Sequence, residues 1–373
     1  MFASILTFII VLSILVLVHE FGHYIVAKKS GILVEEFGLG LPFAPKIFGK
    51  KIGETTYSIY PVLFGGFVRL HGELTEDGVT DHKRAFINQK SFTKVKVITA
   101  GVIMNLILGI VCFSIIYSVQ GIPKPGNNVT IIDVAPGTPA SDAQLPKNSI
   151  VKKVNYVEVT SEKLFIEEVA KFKGSEISLT LLPENSEESK VFKITPRSEY
   201  PEGQGPLGIV ISTPYETYFP PIWQRPFLGV YYGFQEAFFW GSSIALSLFE
   251  LIKNLFSGIV PKGLAGPAGL YVITDETRKA GILPLISLLG VVSINLAILN
   301  ILPIPALDGG RLLFILIEKL FGRKIVPKVE AAIHGVAMVI LVGLMVLVTI
   351  KEVITIRRVG FSGYLNEVMM SGE

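Results

Sequence analysis

Four stretches of the chain are almost entirely apolar, and they set the expected architecture. The first stretch has no charged residue from 2 to 18, and the other three are residues 95–119, 283–302 and 336–350. A helix of about 20 apolar residues crosses the hydrocarbon core of a bilayer. The pattern predicts a polytopic α-helical membrane protein with four transmembrane helices.

Between these stretches the pattern changes to short strand-like runs. The β-branched and aromatic runs 55–60 and 66–70 predict a small membrane-associated β-sheet. Short strands around one helix at 161–172 predict an inserted α+β domain. Segment 227–256 is apolar and aromatic but contains charged residues, so it either spans the membrane or lies in the interface as an amphipathic helix.

These patterns divide the chain into seven segments. They are the first transmembrane helix (1–29), a strand-rich cytoplasmic loop (30–94), the second transmembrane helix (95–119), the inserted domain (120–200), a Pro- and Gly-rich connector with a membrane-associated helix (201–282), the third transmembrane helix (283–312), and the fourth with a tail (313–373).

Charge agrees with a membrane location and orients the chain. Charged residues make up 17% of 373 residues, against about 25% in soluble domains, and mean hydropathy is +0.55. The net charge of +3 argues against a nucleic-acid partner. Eleven Lys and Arg between residues 28 and 96 predict a cytoplasmic loop, an outward N-terminus and an extracytoplasmic inserted domain.

Ionisable residues interrupt the first apolar run as His19-Glu20-Phe21-Gly22-His23. Helix positions i and i+4 share a face, so the two imidazoles can bind one metal ion, and Glu20 can reach a water on that ion. Because ionisable groups inside a spanning segment are costly and usually functional, the cluster predicts a metal site in the membrane.

A catalytic zinc site needs a third protein ligand, and Asp308 is the strongest candidate. It follows an apolar helix, and it reaches the depth of the histidines only if segment 227–256 does not cross the membrane. The alternative roles for Asp308 are capping a helix or pairing with Arg311. His71 and His82 are expected to be solvated, and His334 is a weak candidate ligand.

Gly101, Asn105 and Gly109 recur every four residues in the second span. One interpretation is a small-residue stripe that packs against a neighbouring helix. The other gives Asn105 a polar role near the metal.

Two motifs in the inserted domain, PGTPA at 136–140 and IVKKVN at 150–155, resemble those of PDZ domains. The resemblance implies a sheet edge that accepts an extended peptide or a carboxy-terminus. The same groove can equally act as a steric gate.

The combination of HExxH at 19–23 with N-x-x-P-x-x-x-L-D-G at 300–309 resembles the site-2 protease family. Segments GGFVR (65–69) and DGGRLLF (308–314) and the inserted domain extend the similarity over nearly the whole chain, although Val102 replaces a proline frequent in the family. The closest branch is the bacterial proteases that cleave membrane-bound anti-sigma factors in regulated intramembrane proteolysis.

The resemblance implies zinc held by His19, His23 and Asp308, with Glu20 transferring protons. It also implies oxyanion or substrate binding by Asn300 and Asn295, for which inter-helix hydrogen bonds are the structural alternative. The expected substrates are single-span proteins already trimmed outside the bacterial cytoplasmic membrane.

A substrate helix must unwind before hydrolysis, and the strand containing Gly66, Phe67 and Val68 can pair with the extended segment. Two other functional classes remain. A membrane scaffold would bind peptides through the PDZ-like domain and keep the metal for structure, and a metal transporter would need further ionisable residues at mid-membrane depth, which the other spans lack.

Overall fold

The structure is a computed structural model that describes residues 2–42, 44–73, 79–184, 186, 188–201, 204–257, 266–322 and 326–370. It separates into two compact units. We call Met1–Val119 with Ile222–Glu373 the membrane unit, and Gln120–Pro221 the inserted unit.

Helices account for most of the membrane unit. In chain order the helices of both units are α1 (Phe2–Lys29), α2 (Ser91–Gln120), α3 (Pro139–Asp142), α4 (Glu162–Lys171), α5 (Arg225–Phe256), α6 (Pro267–Ala280), α7 (Ile282–Ile301), α8 (Asp308–Phe321) and α9 (Pro327–Met370), with a short 3-10 helix at Phe86–Asn88.

Four of these helices, among the described residues, are long and apolar enough to cross a membrane: α1, α2, α7 and the Lys328–Phe361 part of α9. The predicted multi-pass helical architecture is therefore confirmed. Two boundaries differ, since α2 begins at Ser91 and α7 stops at Ile301 instead of continuing to residue 312.

The strands form three sheets. They are β1 (Val34–Leu41), β2 (Phe48–Ile52), β3 (Thr55–Ile59), β4 (Val62–Leu70), β5 (Ile122–Pro125), β6 (Val129–Val134), β7 (Ser149–Val154), β8 (Val157–Glu158), β9 (Ile177–Leu182), β10 (Lys190–Ile194), β11 (Ile209–Ser212) and β12 (Tyr215–Tyr218).

The sheet of the membrane unit has the order β2-β3-β1-β4, so β4 is an edge strand. It pairs antiparallel with β1, whereas β1 and β3 run parallel. Ile32, Val34 and Leu70 are buried with Ala27 of α1 and Val97 of α2, which fixes the sheet against the ends of both helices. This packing brings β4 beside the HExxH segment.

Helix α5 packs along α2 and α7 through a buried cluster of Phe113, Ala237 and Ile294. Its Glu236 accepts hydrogen bonds from the Tyr117 hydroxyl of α2 and from the indole of Trp240. These bonds compensate for the partial burial of the Glu236 carboxylate.

The inserted unit contains a sheet of order β10-β9-β7-β6-β11, with β8 paired to β7, and a separate β5–β12 pair. Its core combines alternate residues of the strands with Phe165 and Val169 of α4. The unit extends further than the predicted 120–200 segment because β11 pairs antiparallel with β6 and β12 with β5. Residues expected in the connector therefore complete this unit.

Candidate metal centre

Helix α1 presents His19 and His23 on one face, one turn apart. Their Nε2 atoms lie 3.2 Å from each other, and the two rings are nearly perpendicular at 83°. Glu20 borders the same cavity as His23. The local helical spacing is thus enough to bring the three ionisable groups together.

Asp308 arrives from the other end of the chain through a sharp turn after α7. Pro303 has no N–H to continue the helix, which ends at Ile301. Helix α8 then begins so close to this turn that a Cβ on Gly309 would lie 2.1 Å from the Leu302 carbonyl oxygen. Glycine permits this approach, and the turn carries Asp308 back towards α1.

The three side chains meet at a single point. Asp308 Oδ2 lies 3.1 Å from His19 Nε2 and 3.3 Å from His23 Nε2. Ligand atoms held tetrahedrally around zinc at normal bond lengths are about 3.4 Å apart. The donor set and its spacing therefore fit a zinc ion, with one position left for water or substrate.

Each imidazole has a partner on its far side. His23 Nδ1 donates to the Val97 carbonyl oxygen at 2.8 Å, which leaves Nε2 free to bind metal. The Nδ2 atom of the fully buried Asn105 lies 3.3 Å from His19 Nδ1, and its Oδ1 atom has no hydrogen-bond partner among the described residues. When His19 Nε2 binds metal, Nδ1 carries the proton, and a 180° rotation of the Asn105 amide group brings the unpaired oxygen to accept it. Asn105 therefore has a polar contact with the metal centre.

The glycines of the same stripe provide close packing. A Cβ on Gly101 would lie 2.4 Å from His23 Nε2, and one on Gly109 would lie 2.4 Å from Ile294 Cδ1 of α7. The stripe thus combines both interpretations, since its glycines permit close packing and its asparagine contacts a histidine.

The two asparagines of α7 have different positions. Asn300 Nδ2 lies 3.5 Å from His19 Nε2, at the border of the metal centre. Asn295 is half-buried, and its side chain makes no hydrogen bond to another described residue. Five helical positions separate them, so they point in different directions.

A cavity of about 320 Å³ opens beside the ligands. Its wall includes Glu20, Asp308, and both Phe67 and Val68 of β4. A Cβ on Gly66 would lie 3.5 Å from Glu20 Cγ, so the strand runs past the Glu20 side chain. The edge strand therefore borders the same space as the metal ligands.

Arg311 lines this cavity but pairs with Glu73 rather than with Asp308. Although burial opposes its charge, Glu73 raises the pKa of Arg311 above its ordinary value. Burial also opposes ionisation of Asp308, but the adjoining imidazoles of His19 and His23 outweigh burial and hold the pKa of Asp308 below its usual range. The sequence contained no signal for Glu73, because the pair joins a loop after β4 to a distant helix.

The remaining histidines lie outside the ligand group. His71 was expected to be solvated, but it is buried, and its Nδ1 lies 2.6 Å from a carboxylate oxygen of Glu35. The expectation was wrong because this partner comes from β1. His82 is exposed, as expected. His334 accepts the amide N–H of Ala306 at 2.8 Å.

The inserted unit has a separate apolar groove between α4 and the edge strand β11. Its volume is about 210 Å³, and its lining includes Phe165, Val169, Leu207, Ile209 and Ile211. The combination of a helix with an unpaired strand edge is the geometry that accepts an extended peptide as an added strand.

Comparison with known proteins gives one consistent result. The profile of peptidase family M50 matches residues 7–344. A predicted zinc metalloprotease of Clostridium acetobutylicum is 30% identical over 95% of this chain and 98% of its own length. The zinc metalloproteases RasP of Bacillus licheniformis and Oceanobacillus iheyensis are 28% and 26% identical, each over 94% of this chain and 98% of the relative. The chain therefore belongs to peptidase family M50, the family of the site-2 proteases.

Proposed function

We propose that this protein is a zinc-dependent intramembrane endopeptidase that cleaves the transmembrane segments of single-span membrane proteins. The observation that carries the proposal is the meeting of His19, His23 and Asp308 beside Glu20, on helices suited to span a membrane. Family membership and relatives named zinc metalloproteases support the same chemistry.

His19, His23 and Asp308 are the proposed zinc ligands. When bound, zinc supplies a Lewis acid that activates water and polarises the scissile carbonyl. Asn105 and the Val97 carbonyl orient the two imidazoles for this task.

Glu20 is the proposed general base and acid. It takes a proton from the attacking water and returns it to the leaving amine nitrogen. Asn300 lies against His19 and can donate its amide to the developing oxyanion. Asn295 is proposed to bind the substrate backbone, a role supported by its half-buried side chain, which makes no hydrogen bond to another described residue.

Strand β4 is proposed to hold the substrate in extended form. The Tyr60 amide donates to the Leu39 carbonyl, so Leu39 directs its polar groups towards β3. The backbone N–H and C=O groups of successive residues point to opposite edges of a strand. Leu39 is paired with Gly66 but directs its polar groups away from β4, so this is a pair without hydrogen bonds. Gly66 and Val68 therefore direct their amides to the open edge of β4, whereas Phe67 directs its amide towards β1. These two amides are the groups available to an added strand.

The inserted unit is proposed to be a PDZ-like domain on the extracytoplasmic side of a bacterial cytoplasmic membrane. The apolar groove beside β11 supports capture of a peptide or a carboxy-terminus. The positive loop between α1 and α2 supports this orientation. Pre-trimmed anti-sigma factors are the substrates that the family resemblance suggests.

A membrane scaffold that keeps zinc only for structure is the second candidate. Structural zinc sites are usually closed by four protein ligands. Among the described residues the centre gathers three, and a cavity opens beside them. The geometry favours the enzyme.

The deciding experiment is the Glu20→Gln variant of the purified, detergent-solubilised protein. We expect unchanged zinc content and a fall in cleavage of a single-span reporter of about 100- to 10,000-fold, the range for loss of an acid–base group. Glu250→Gln, at an exposed carboxylate of α5, is the matched control and should cleave normally. Cleavage by Glu20→Gln at the parent rate would remove Glu20 from the mechanism.

A further inference from the structure

The turn before Asp308 contains an unusual backbone conformation. Ala306 has a φ of +78°, which places it in the left-handed region. Residues with a Cβ rarely adopt this region, and they keep it only when their surroundings impose it. A local contact must therefore hold Ala306 in place.

His334 of α9 provides that contact. Its Nδ1 accepts the Ala306 amide N–H at 2.8 Å, so the ring carries its proton on Nε2. Nε2 has no hydrogen-bond partner among the described residues, which makes the bond to Ala306 the ring's specific polar contact. The ring also packs at 5.4 Å from Phe314 of α8.

His334 thus contacts both sides of the metal-ligand turn. The turn is closed by bonds from the Leu307 amide to the Ile304 carbonyl and from the Gly310 amide to the Leu307 carbonyl. A change of conformation at Ala306 would rotate the chain two residues before Asp308. Its carboxylate lies only 3.1–3.3 Å from the two histidine nitrogens.

We propose that His334 is a positioning residue of the metal centre: through the Ala306 amide it holds the left-handed turn that presents Asp308 to the metal. The inference rests on the proposed role of Asp308 as a zinc ligand. It assigns His334 no contact with metal or substrate.

Three variants of the whole chain separate this role from simple packing. His334→Leu removes the acceptor while retaining apolar bulk. His334→Asn restores an acceptor at the position of Nδ1, because the Asn oxygen is attached to the equivalent carbon. His334→Leu combined with Ala306→Gly removes the need for a tether, because glycine adopts positive φ readily.

The measurement is zinc affinity by chelator competition, with cleavage measured in parallel. We expect His334→Leu to weaken zinc binding by about 10- to 100-fold, as for loss of other groups that orient a ligand. His334→Asn and the double variant should each recover most of this loss. Val336→Leu, at an exposed position of α9, is the control and should bind zinc normally.

The outcomes distinguish this inference from the proposed function. Parent-like zinc affinity in His334→Leu, with an active parent, would overturn the positioning role alone. If His334→Leu, the double variant and His334→Asn all bound zinc equally weakly, the ring would act by packing. That result would also overturn the positioning role. A parent protein that binds no zinc would overturn the proposed function and, with it, this inference.

Discussion

The space around the two imidazoles is limited by Gly101 of α2. A Cβ there would lie 2.4 Å from His23 Nε2 and 2.8 Å from His19 Nε2, which are the metal-facing atoms. Hydrogen in place of a side chain is thus needed for the imidazoles to occupy their positions. The glycine has a geometric role at the metal centre although it offers no ligand.

Gly101→Ala is expected to reduce zinc affinity and cleavage together. Alanine favours a helix over glycine by about 1 kcal/mol, so any loss comes from the displaced histidines rather than from the helix. We expect the loss in affinity to reach at least about tenfold, measured by chelator competition. Gly343→Ala on α9, where a Cβ meets nothing within 4 Å, is the control. Normal zinc binding by Gly101→Ala would contradict the geometry.

At the scale of elements, the edge strand β4 and helix α6 each permit a prediction. Val68 directs its amide to the open edge of β4, where a substrate strand would pair. Val68→Pro should remove one substrate hydrogen bond without disturbing the pairing of β4 with β1. Because such a bond contributes about 1 kcal/mol, we expect cleavage to fall roughly fivefold or more while zinc content stays constant.

Val68→Thr retains the amide and is the matched control for this strand. Parent-like cleavage by the proline variant would exclude pairing at this position. Equal losses in both variants would point to the side chain instead.

Helix α6 is fastened to α9 by one buried carboxylate. Glu352 accepts the amide N–H groups of Gly266 and Ala268 and the hydroxyl of Tyr364. A carboxylate at a helix N-terminus is favourable because it satisfies donors that the helix leaves unpaired. At the other end of α6, the Asp275 carboxylate accepts a hydrogen bond from Ser4 of α1. This bond, together with the hydrogen bonds from Lys279 and Arg278, lowers the pKa of Asp275 to about 2.

Glu352→Ala should lower the free energy of unfolding by about 1–3 kcal/mol, the cost of leaving buried donors unpaired. Thermal unfolding of the detergent-solubilised protein measures this, with Glu250→Ala at an exposed site as the control. Unchanged stability would show that water replaces the carboxylate.

At the scale of the whole molecule, the charge pattern predicts which loops face the cytoplasm. The substitution Cys112→Ala removes the single cysteine of the chain. In this background, Lys83→Cys introduces an exposed thiol in the segment before α2, and Tyr156→Cys introduces one in the segment after it. Tyr156 is 98% exposed in the inserted unit. We expect a membrane-impermeant maleimide to label Tyr156→Cys in intact cells and Lys83→Cys only after permeabilisation. The reverse pattern would contradict the orientation.

The sequence by itself determined the features that depend on near neighbours. Apolar runs predicted four spanning segments because the bilayer requires length and apolarity along one continuous helix. The HExxH pair also needed only helical spacing, since a single turn of α1 aligns His19 with His23. The strand character of β3 and β4 followed from the same short-range pattern.

Tertiary structure decided the features that join distant segments. It paired Arg311 with Glu73, buried His71 against Glu35, and brought Asn105 to His19. It also assigned β11 to the inserted unit. Each of these contacts joins groups far apart in the chain, and their residue types fit several partners equally well. Only the packing of helices and sheets selects one of them, because burial requires each polar group to find a partner within reach.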